Sequence, residues 1–240
     1  MTSLTVHLQR REEVAHGTMA FHFDKPAEFR FKPGQAIDLI LPEPPAFGAE
    51  SPRHAFSIVS APHENELVVA TRMRDSAFKN ALARLPVGAP AQVEGPFGSL
   101  TLPSKPGRAA VLVAGGIGIT PFMSMLRHAS HTASQQRLVL LYSNRRPEDC
   151  AFLSELQRLE GDNPNFRLVA TMTGMGESRL PWMGQTARID AALVQQVVAD
   201  LPDPVYYVAG PPAMVAALRD TLERAGIEED AIRSEEFYGY

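Results

Sequence analysis

Three glycines after an apolar run are the residues whose spacing most clearly suggests chemistry. Gly115, Gly116 and Gly118 follow the run directly, and Thr120 and Pro121 then begin a helical pattern. Glycines lack a Cβ and let a phosphate approach the backbone, while the first turn of a helix favours an anion. The spacing is not that of the common dinucleotide fingerprint, and glycine turns also serve merely to reverse the chain. This segment alone leaves a phosphate-binding loop and an ordinary turn both open.

A second glycine turn lies near the end of the sequence. The apolar run 205–209 leads into Gly210, Pro211 and Pro212, and Met214 follows in a helical pattern. If both apolar runs are parallel strands, the two turns lie at the edge of the sheet where ligands bind. They would then contact different parts of one extended molecule, although an ordinary strand-to-helix turn is the alternative.

The segment 51–62 offers an aromatic ring, hydroxyls and basic groups. Phe56 can cover a flat ring system, Ser57 can hydrogen-bond a ring nitrogen, and Arg53 can pair with a phosphate. A plain surface strand uses the same residue types, so the segment does not decide between the two by itself.

The first hundred residues consist of short β segments separated by Pro and Gly. This pattern predicts a small antiparallel β-barrel of Greek-key type. A helix is expected over 77–85, because Phe78, Leu82 and Leu85 recur on one face. The predicted strands are residues 4–9, 18–23, 36–41, 55–59, 67–71 and 91–94.

The pattern changes at the Pro- and Gly-containing segment 103–107, after which apolar runs alternate with helical segments. Such alternation predicts a parallel sheet covered by helices on both faces. We therefore expect two domains, the barrel over 1–104 and an α/β domain over 105–240. The predicted strands are residues 110–114, 139–142, 167–171 and 205–209. The predicted helices are residues 121–129, 151–160, 191–198 and 213–225.

Composition narrows the class of protein. The 240 residues carry a formal charge of −4, which gives no reason to expect nucleic acid or an anionic membrane as the partner. The apolar runs are too short to span a membrane and no leader is evident, so we expect a cytoplasmic protein. We also expect a monomer. Cys150 is the single cysteine, which excludes an intrachain disulfide and a cysteine-ligated iron-sulfur cluster. No His and carboxylate cluster has metal-ligand spacing, so no metal is expected.

Taken in chain order, five motifs resemble those of the ferredoxin-NADP reductase superfamily, and the resemblance covers essentially the whole chain. It implies an enzyme that takes hydride from NADPH or NADH onto bound FAD, with FMN the less expected flavin. The electrons would pass to a separate acceptor, such as ferredoxin, flavodoxin or an oxygenase component. The motifs are residues 53–60, 94–98, 115–121, 142–145 and 210–214.

The resemblance also implies a role for individual residues. Phe56 would lie against the flavin ring, with Ser57 beside the nitrogen that accepts hydride. The neighbours that would continue along the flavin are Ile58, Val59 and Ser60, with Thr71, Arg72 and Met73 at its sugar-phosphate portion. The residues that would hold the nicotinamide dinucleotide are Gly115, Gly116, Gly118, Thr120, Pro121, Gly210, Pro211, Pro212 and Met214.

This sequence departs from the superfamily pattern at three places. His54 stands where arginine is usual, so Arg53 is the alternative phosphate partner, because a neutral histidine binds phosphate poorly. The helix near Ser76 lacks the usual glycine and hydroxyl, and we expect Lys79 to help hold the flavin pyrophosphate instead. Ala209 replaces the usual cysteine, so no thiol takes part in hydride transfer.

The last residues place aromatics where related enzymes cover the flavin. We predict that Phe237 or Tyr240 covers the ring and that Glu236 and Phe237 join Ser57 in the catalytic site. A frayed tail is the alternative.

The end of the predicted strand 139–142 bears on the choice of coenzyme. Ser143, Asn144, Arg145 and Arg146 stand there, with Glu148 and Asp149 only after a proline. A basic residue at this position accommodates a 2′-phosphate and a carboxylate binds a 2′-hydroxyl, so we favour NADPH over NADH. Two functional alternatives stay open: a reductase that uses free flavin as substrate, and a nucleotide-sensing regulatory subunit without turnover.

Overall fold

The N-terminal half of the computed structural model, which describes residues 3–42, 51–103 and 107–237, is an antiparallel sheet. Across these residues its six strands follow the order β4-β3-β6-β1-β2-β5. The last strand of the half returns by a long connection to lie between β3 and β1, as in a Greek key. The strands are β1 (Ser3–Ala15), β2 (Thr18–Asp24), β3 (Ala36–Ile40), β4 (Arg53–Ser57), β5 (Glu66–Arg72) and β6 (Pro90–Phe97), and helix α1 (Ala77–Arg84) precedes β6.

The two edge strands of this sheet meet and curl it into a barrel. Val59, just after β4, donates its N–H to the carbonyl of Val68 on β5 at 2.8 Å. The N–H of Val68 in turn donates to Ser60 Oγ at 3.0 Å. Apolar side chains such as Phe21 and Ile37 fill the interior and are fully buried, so the predicted antiparallel barrel is confirmed.

Strand β1 is longer than the sequence suggested, continuing through Ala15 instead of ending near residue 9. The added part carries the charged residues 10–13, which are unusual in a strand. They are tolerated because Arg10 pairs with Glu66 at 3.1 Å and the buried His22 lies between Glu12 and Glu66. Pairing across neighbouring strands therefore supports a segment whose local sequence does not favour a strand.

The C-terminal half is a parallel sheet with helices on both faces, as predicted. Its five strands among the described residues follow the order β11-β10-β7-β8-β9. The strands are β7 (Ala110–Gly115), β8 (Leu138–Asn144), β9 (Phe166–Met172), β10 (Val205–Gly210) and β11 (Ile232–Glu236). The helices are α2 (Thr120–His131), α3 (Leu153–Asp162), α4 (Ala191–Val198) and α5 (Pro212–Arg224).

The two faces of this sheet are distinguished by alternation along β7. Leu112 and Ala114 lie in one core with α2 and α3, while Val111 and Val113 lie in the other with α4 and α5. Both faces are buried, which is why the strands read as continuous apolar runs. Residues 104–106, which contain the predicted domain boundary, lie outside the described residues, so that boundary stays a prediction.

Helix α2 joins the two halves. Ser124 donates its hydroxyl to the carbonyl of Ser60 at 2.7 Å in a buried hydrogen bond. Arg127 forms two hydrogen bonds with Glu155 on α3 and reaches Glu64 of the barrel at 3.4 Å. Barrel residues such as Val59 and Val68 share one core with α2, so the halves are packed together and not merely linked.

A histidine group lies beside this joint. His63 of the barrel stacks on His131 of α2 with ring centroids 3.6 Å apart, and His128 lies 6.4 Å from His63. Burial lowers the pKa of His63 and of His128, and the neighbouring His131 lowers both further.

Among the helices of residues 3–42, 51–103 and 107–237, none has the length and apolar character needed to cross a membrane.

The histidine group predicts that the protein loses stability in mild acid. When the folded pKa of a histidine lies below its ordinary value of 6.5, the free energy of unfolding is undiminished at any pH well above 6.5. As the pH falls from 6.5 through the folded pKa, the unfolded chain binds protons first and that stability is lost. We expect the melting temperature to fall between pH 7 and 5, and to fall less steeply in His63→Gln. An unchanged slope in His63→Gln would show that these rings do not control acid stability.

Candidate functional site

Gly115, Gly116 and Gly118, in the turn after β7, differ in what surrounds them. A Cβ on Gly115 would lie 2.0 Å from Met214 Sδ, and one on Gly118 would lie 2.1 Å from the carbonyl oxygen of Ala209. Gly116 has φ +52° and open space at the Cβ position. Gly118 is therefore required by the backbone of β10, whereas Gly115 gives room to the Met214 side chain of α5 and Gly116 provides a left-handed turn with an open surface.

A cavity of about 300 Å³ lies at the C-terminal ends of β7, β8 and β10. We call it the sheet-edge cavity. This is the place where open parallel sheets bind ligands. Seven residues predicted for the dinucleotide line it, and the barrel contributes three more. Its lining includes Gly115, Gly116, Ser143, Asn144, Arg145, Pro211 and Met214, with Thr18, Arg72 and Arg74 from the barrel.

The two arginines considered for coenzyme choice differ in position. Arg145 lines the sheet-edge cavity and pairs at the surface with Glu177 at 3.1 Å. Arg146 is held by Asp149 through two hydrogen bonds of 2.8 Å, and this pairing raises the pKa of Arg146. Of the two, Arg145 alone belongs to the described cavity wall.

Asp149 was not predicted as a site residue, yet its side chain lines the sheet-edge cavity. A short 3-10 turn over Pro147–Asp149 returns the chain to the cavity wall after β8. The Arg146 guanidinium lowers the pKa of Asp149, with a smaller contribution from Arg72. Pro147, which begins this turn, was the one sequence signal for it, since prolines commonly occupy the first position of helical turns.

A second, smaller cavity of about 40 Å³ lies between the barrel and the turn after β7. We call it the junction cavity. Ile117 lines both cavities, so they are neighbours. The junction cavity is lined by His54, Ala55, Phe56, Ser57, Ala70, Thr71, Lys79, Ile117, Thr120 and Phe237. Thr120, predicted for the dinucleotide, thus lies with the residues predicted for the flavin, whereas Arg72, predicted for the flavin, lines the sheet-edge cavity.

Ser57 is the unusual residue of the junction cavity. It is 3% exposed, and its Oγ has no hydrogen-bond partner within the part of the chain that the structure describes. Buried hydroxyls in proteins almost always have a partner. This Oγ is therefore suited to bind a polar atom of a ligand at the junction.

The aromatic wall of the junction cavity is formed by stacked rings. His54 lies on Phe56 with ring centroids 4.7 Å apart and an interplanar angle of 22°. Phe78 of α1 contacts the same pair at 5.3 and 5.9 Å. The alternative phosphate partner, Arg53, is outside this wall and pairs with Asp38 at 2.9 Å and Glu94 at 2.7 Å.

Lys79 lies in the first turn of α1 and is 5% exposed. Its Nζ donates to the carbonyl of Arg72 at 3.0 Å, and its N–H donates to the N-cap hydroxyl of Ser76 at 3.2 Å. Burial, helped by the nearby Arg74, lowers the pKa of Lys79. Lys79 therefore adds positive charge at the start of a helix, where an anion is favoured.

The chain's last described residues approach the junction from the other side. Strand β11 was missed by the sequence analysis, which expected aromatic residues over the flavin here, with a frayed tail as the alternative. Phe237 follows this strand, lines the junction cavity and donates its N–H to the carbonyl of Gly210 at 3.0 Å. Because side chains alternate along a strand, Glu235 lies on the side of Phe237 and the exposed Glu236 on the other. Burial raises the pKa of Glu235, whereas the sequence analysis had predicted Glu236 as the site residue.

The remaining predicted site residues lie outside both cavities. Ile58 and Val59 are core residues, and Ser60 Oγ is occupied by the barrel-closing hydrogen bond. Pro121 is buried at the start of α2, and Met73 packs against the barrel. Tyr240 lies outside the described residues.

Comparison with known proteins finds an oxidoreductase family model and reductases among the relatives of this chain. The family model described as the oxidoreductase NAD-binding domain matches residues 112–220. Ferredoxin--NADP reductase B of Sorangium cellulosum is 31% identical over 200 residues, covering 80% of this chain and 79% of that protein. The glycine betaine monooxygenase reductase subunit of Chromohalobacter salexigens is 29% identical, covering 92% of this chain and 60% of that protein.

The solved structures agree in fold. A ferredoxin NADP⁺ reductase from Neisseria gonorrhoeae, solved with bound FAD and NADP, has a TM-score of 0.80 at 23% identity and covers 98% of both chains. A cytochrome P450 reductase from Amycolatopsis has a TM-score of 0.81 at 22% identity, covering 98% of this chain and 70% of that one.

The length of the relatives differs from that of this chain. The chain spans 57–61% of the length of six oxygenase reductase relatives that it matches. It spans most of the Sorangium reductase, with which it shares the identity given above. On this likeness, together with the barrel, the parallel sheet and the glycine turn between them, the chain belongs to the ferredoxin-NADP reductase superfamily.

Proposed function

We propose that the chain is a flavin-dependent NAD(P)H oxidoreductase that takes hydride from NADPH or NADH onto bound FAD and passes the electrons to a separate acceptor protein. The observation that carries the proposal is the buried Ser57 hydroxyl, which has no partner among the described residues and lies where the barrel meets the glycine turn. Ile117 separates the two cavities, so groups bound on its two sides would be neighbours.

The residues of the junction cavity fit a flavin. A bound flavin would supply the redox chemistry, accepting hydride from a reduced nicotinamide and releasing electrons to the acceptor. Ser57 would hydrogen-bond its ring, and the stacked His54 and Phe56 would provide an apolar wall for it. Lys79 would hold its phosphates, since Arg53 is already paired with two carboxylates.

The residues of the sheet-edge cavity fit a nicotinamide dinucleotide. Gly116 would let the pyrophosphate approach the backbone, and Arg72 and Arg74 add positive charge from the barrel. Within the described part of the chain, neither of these arginines forms a salt bridge, so both guanidinium groups can face a phosphate. Phe237 would cover the junction and move aside for the nicotinamide ring, which keeps bulk water out until the coenzyme arrives.

The relatives support the choice of cofactors and acceptor. FAD is favoured over FMN because a structural neighbour was solved with FAD and NADP. A separate acceptor protein is favoured, because relatives are named as reductase components of monooxygenases and as a ferredoxin-NADP reductase. The proposed acceptor is an oxygenase component, a ferredoxin or a flavodoxin.

An anaerobic titration tests the proposed function directly. The protein is purified, loaded with FAD and mixed with NADPH or NADH while the flavin absorbance is followed. We expect rapid bleaching by at least one coenzyme, and return of the colour on adding a one-electron acceptor. A protein that binds FAD but is bleached by neither coenzyme would be a binding module and not a reductase.

Removing the Ser57 hydroxyl should slow flavin reduction without weakening the fold. In Ser57→Ala no protein hydrogen bond is lost, because Oγ has no partner in the described structure. We expect the rate of reduction to fall about tenfold, the effect of one hydrogen bond of about 1.4 kcal/mol. Stopped-flow absorbance gives the rate and thermal melting gives the stability.

A matched control is Thr171→Val, which loses the hydrogen bond from the buried Thr171 hydroxyl to the carbonyl of Ala187, two residues that line neither cavity. This variant should melt earlier and reduce its flavin at the normal rate. If the two variants behave alike, Ser57 has no special part in the reaction.

Lys79→Met should selectively weaken the binding of flavins that carry a phosphate. Methionine keeps much of the buried length of the lysine and removes its charge, so the apolar contacts are largely retained. We expect the dissociation constants of FAD and FMN to rise about tenfold, while that of riboflavin, which lacks a phosphate, stays unchanged. Fluorescence quenching measures all three, and equal weakening of all three would mean that Lys79 holds the helix and not the phosphate.

Arg145→Ala should discriminate between the coenzymes. If Arg145 binds the 2′-phosphate, its loss raises the KM for NADPH about tenfold and leaves that for NADH nearly unchanged. Arg224→Ala is the control, because Arg224 likewise forms a surface salt bridge, with Asp220 at 2.8 Å, and neither residue lines the described cavity wall. Steady-state kinetics with both coenzymes decides, and an equal change for the two would remove the preference for NADPH.

A further inference from the structure

Tyr142 is a fully buried residue on β8 whose hydroxyl reaches the backbone of the sheet-edge cavity. It donates to the carbonyl of Gly116 at 3.0 Å and lies 3.3 Å from the carbonyl of Ala151. Burial raises the pKa of Tyr142 well above its ordinary value, so the phenol stays protonated and remains a donor. The ring is part of the core beneath α2 and α3.

Both of these carbonyls belong to residues that line the sheet-edge cavity. Gly116 is the glycine with a left-handed backbone and open space in front of it, so packing on that side does not fix its orientation. A peptide group is planar, and its C=O and N–H point in opposite directions. When Tyr142 holds the Gly116 carbonyl toward the core, it therefore also fixes the direction of the Ile117 N–H and the position of Ile117 between the two cavities.

We propose that Tyr142 is a positioning residue for the nicotinamide nucleotide: its hydroxyl fixes the Gly116–Ile117 peptide and the Ala151 segment in the arrangement that binds the coenzyme. The proposal rests on the proposed dinucleotide site. It differs from a simple core role, because a residue that only fills the core would affect stability and leave coenzyme affinity unchanged.

Tyr207 provides a matched comparison in the same sheet. It lies on β10, the other neighbour of β7, and is also fully buried. Its hydroxyl donates to a backbone carbonyl at the same distance of 3.0 Å, but this acceptor, Thr101, does not line the sheet-edge cavity. Replacing either tyrosine by phenylalanine removes one buried hydroxyl and keeps the ring.

The test compares Tyr142→Phe and Tyr207→Phe in the FAD-loaded, oxidised protein. Titration calorimetry with NADP⁺ and NAD⁺ gives coenzyme affinity without turnover, and melting gives stability. We expect Tyr142→Phe to raise the dissociation constant of the bound coenzyme about tenfold, with kcat at saturating coenzyme changed less than twofold. Tyr207→Phe should lower the melting temperature and leave coenzyme affinity at the wild-type value.

The outcomes separate this inference from the function on which it rests. If wild-type protein binds coenzyme and both variants bind it with the same affinity, the positioning role of Tyr142 is wrong and the proposed function stands. If both variants weaken binding equally, the effect is general destabilisation and the inference is again overturned. If wild-type protein binds neither NADP⁺ nor NAD⁺, the proposed dinucleotide site itself is wrong.

Discussion

The attachment of α2 to the barrel is the contact on which the rest of this structure depends. The helix begins at the end of the glycine turn and carries Ser124 and Arg127 into hydrogen bonds with the other half of the chain. One helix thus fixes the sheet-edge cavity relative to the junction cavity, with Ile117 between them. In the proposed reductase, hydride transfer needs two rings held in contact, and a rigid joint of this kind would hold them so without a general base.

The same joint explains why the glycine turn has so little freedom. Gly118 must lie against the backbone of Ala209, Gly115 lies against the Met214 side chain, and the Gly116 carbonyl is bound by Tyr142. Buried contacts therefore fix the turn from β8, from β10 and from α5, and leave the Gly116 surface open for a ligand. A loop held in this way is arranged before its ligand arrives, which lowers the entropic cost of binding.

Most of this architecture could be read from the sequence because the signals were local. Buried parallel strands gave uninterrupted apolar runs, and the glycine turns marked the ligand edge of the sheet. Three features depended on contacts that sequence does not display. Strand β11 has one apolar residue, Ile232, followed by four polar or charged residues at a sheet edge. Asp149 reaches the cavity through a short turn, and Arg53 is paired by carboxylates on β3 and β6. Each is set by tertiary pairing, and local propensity carries no trace of it.

The most direct test of the account is a crystal structure of the protein loaded with FAD. The account predicts a flavin ring in the junction cavity with one of its polar atoms in hydrogen-bond distance of Ser57 Oγ, beside Ile117. A flavin bound elsewhere on the barrel, with Ser57 Oγ still lacking a partner, would contradict the claim that this buried hydroxyl marks the place where the two cofactors meet.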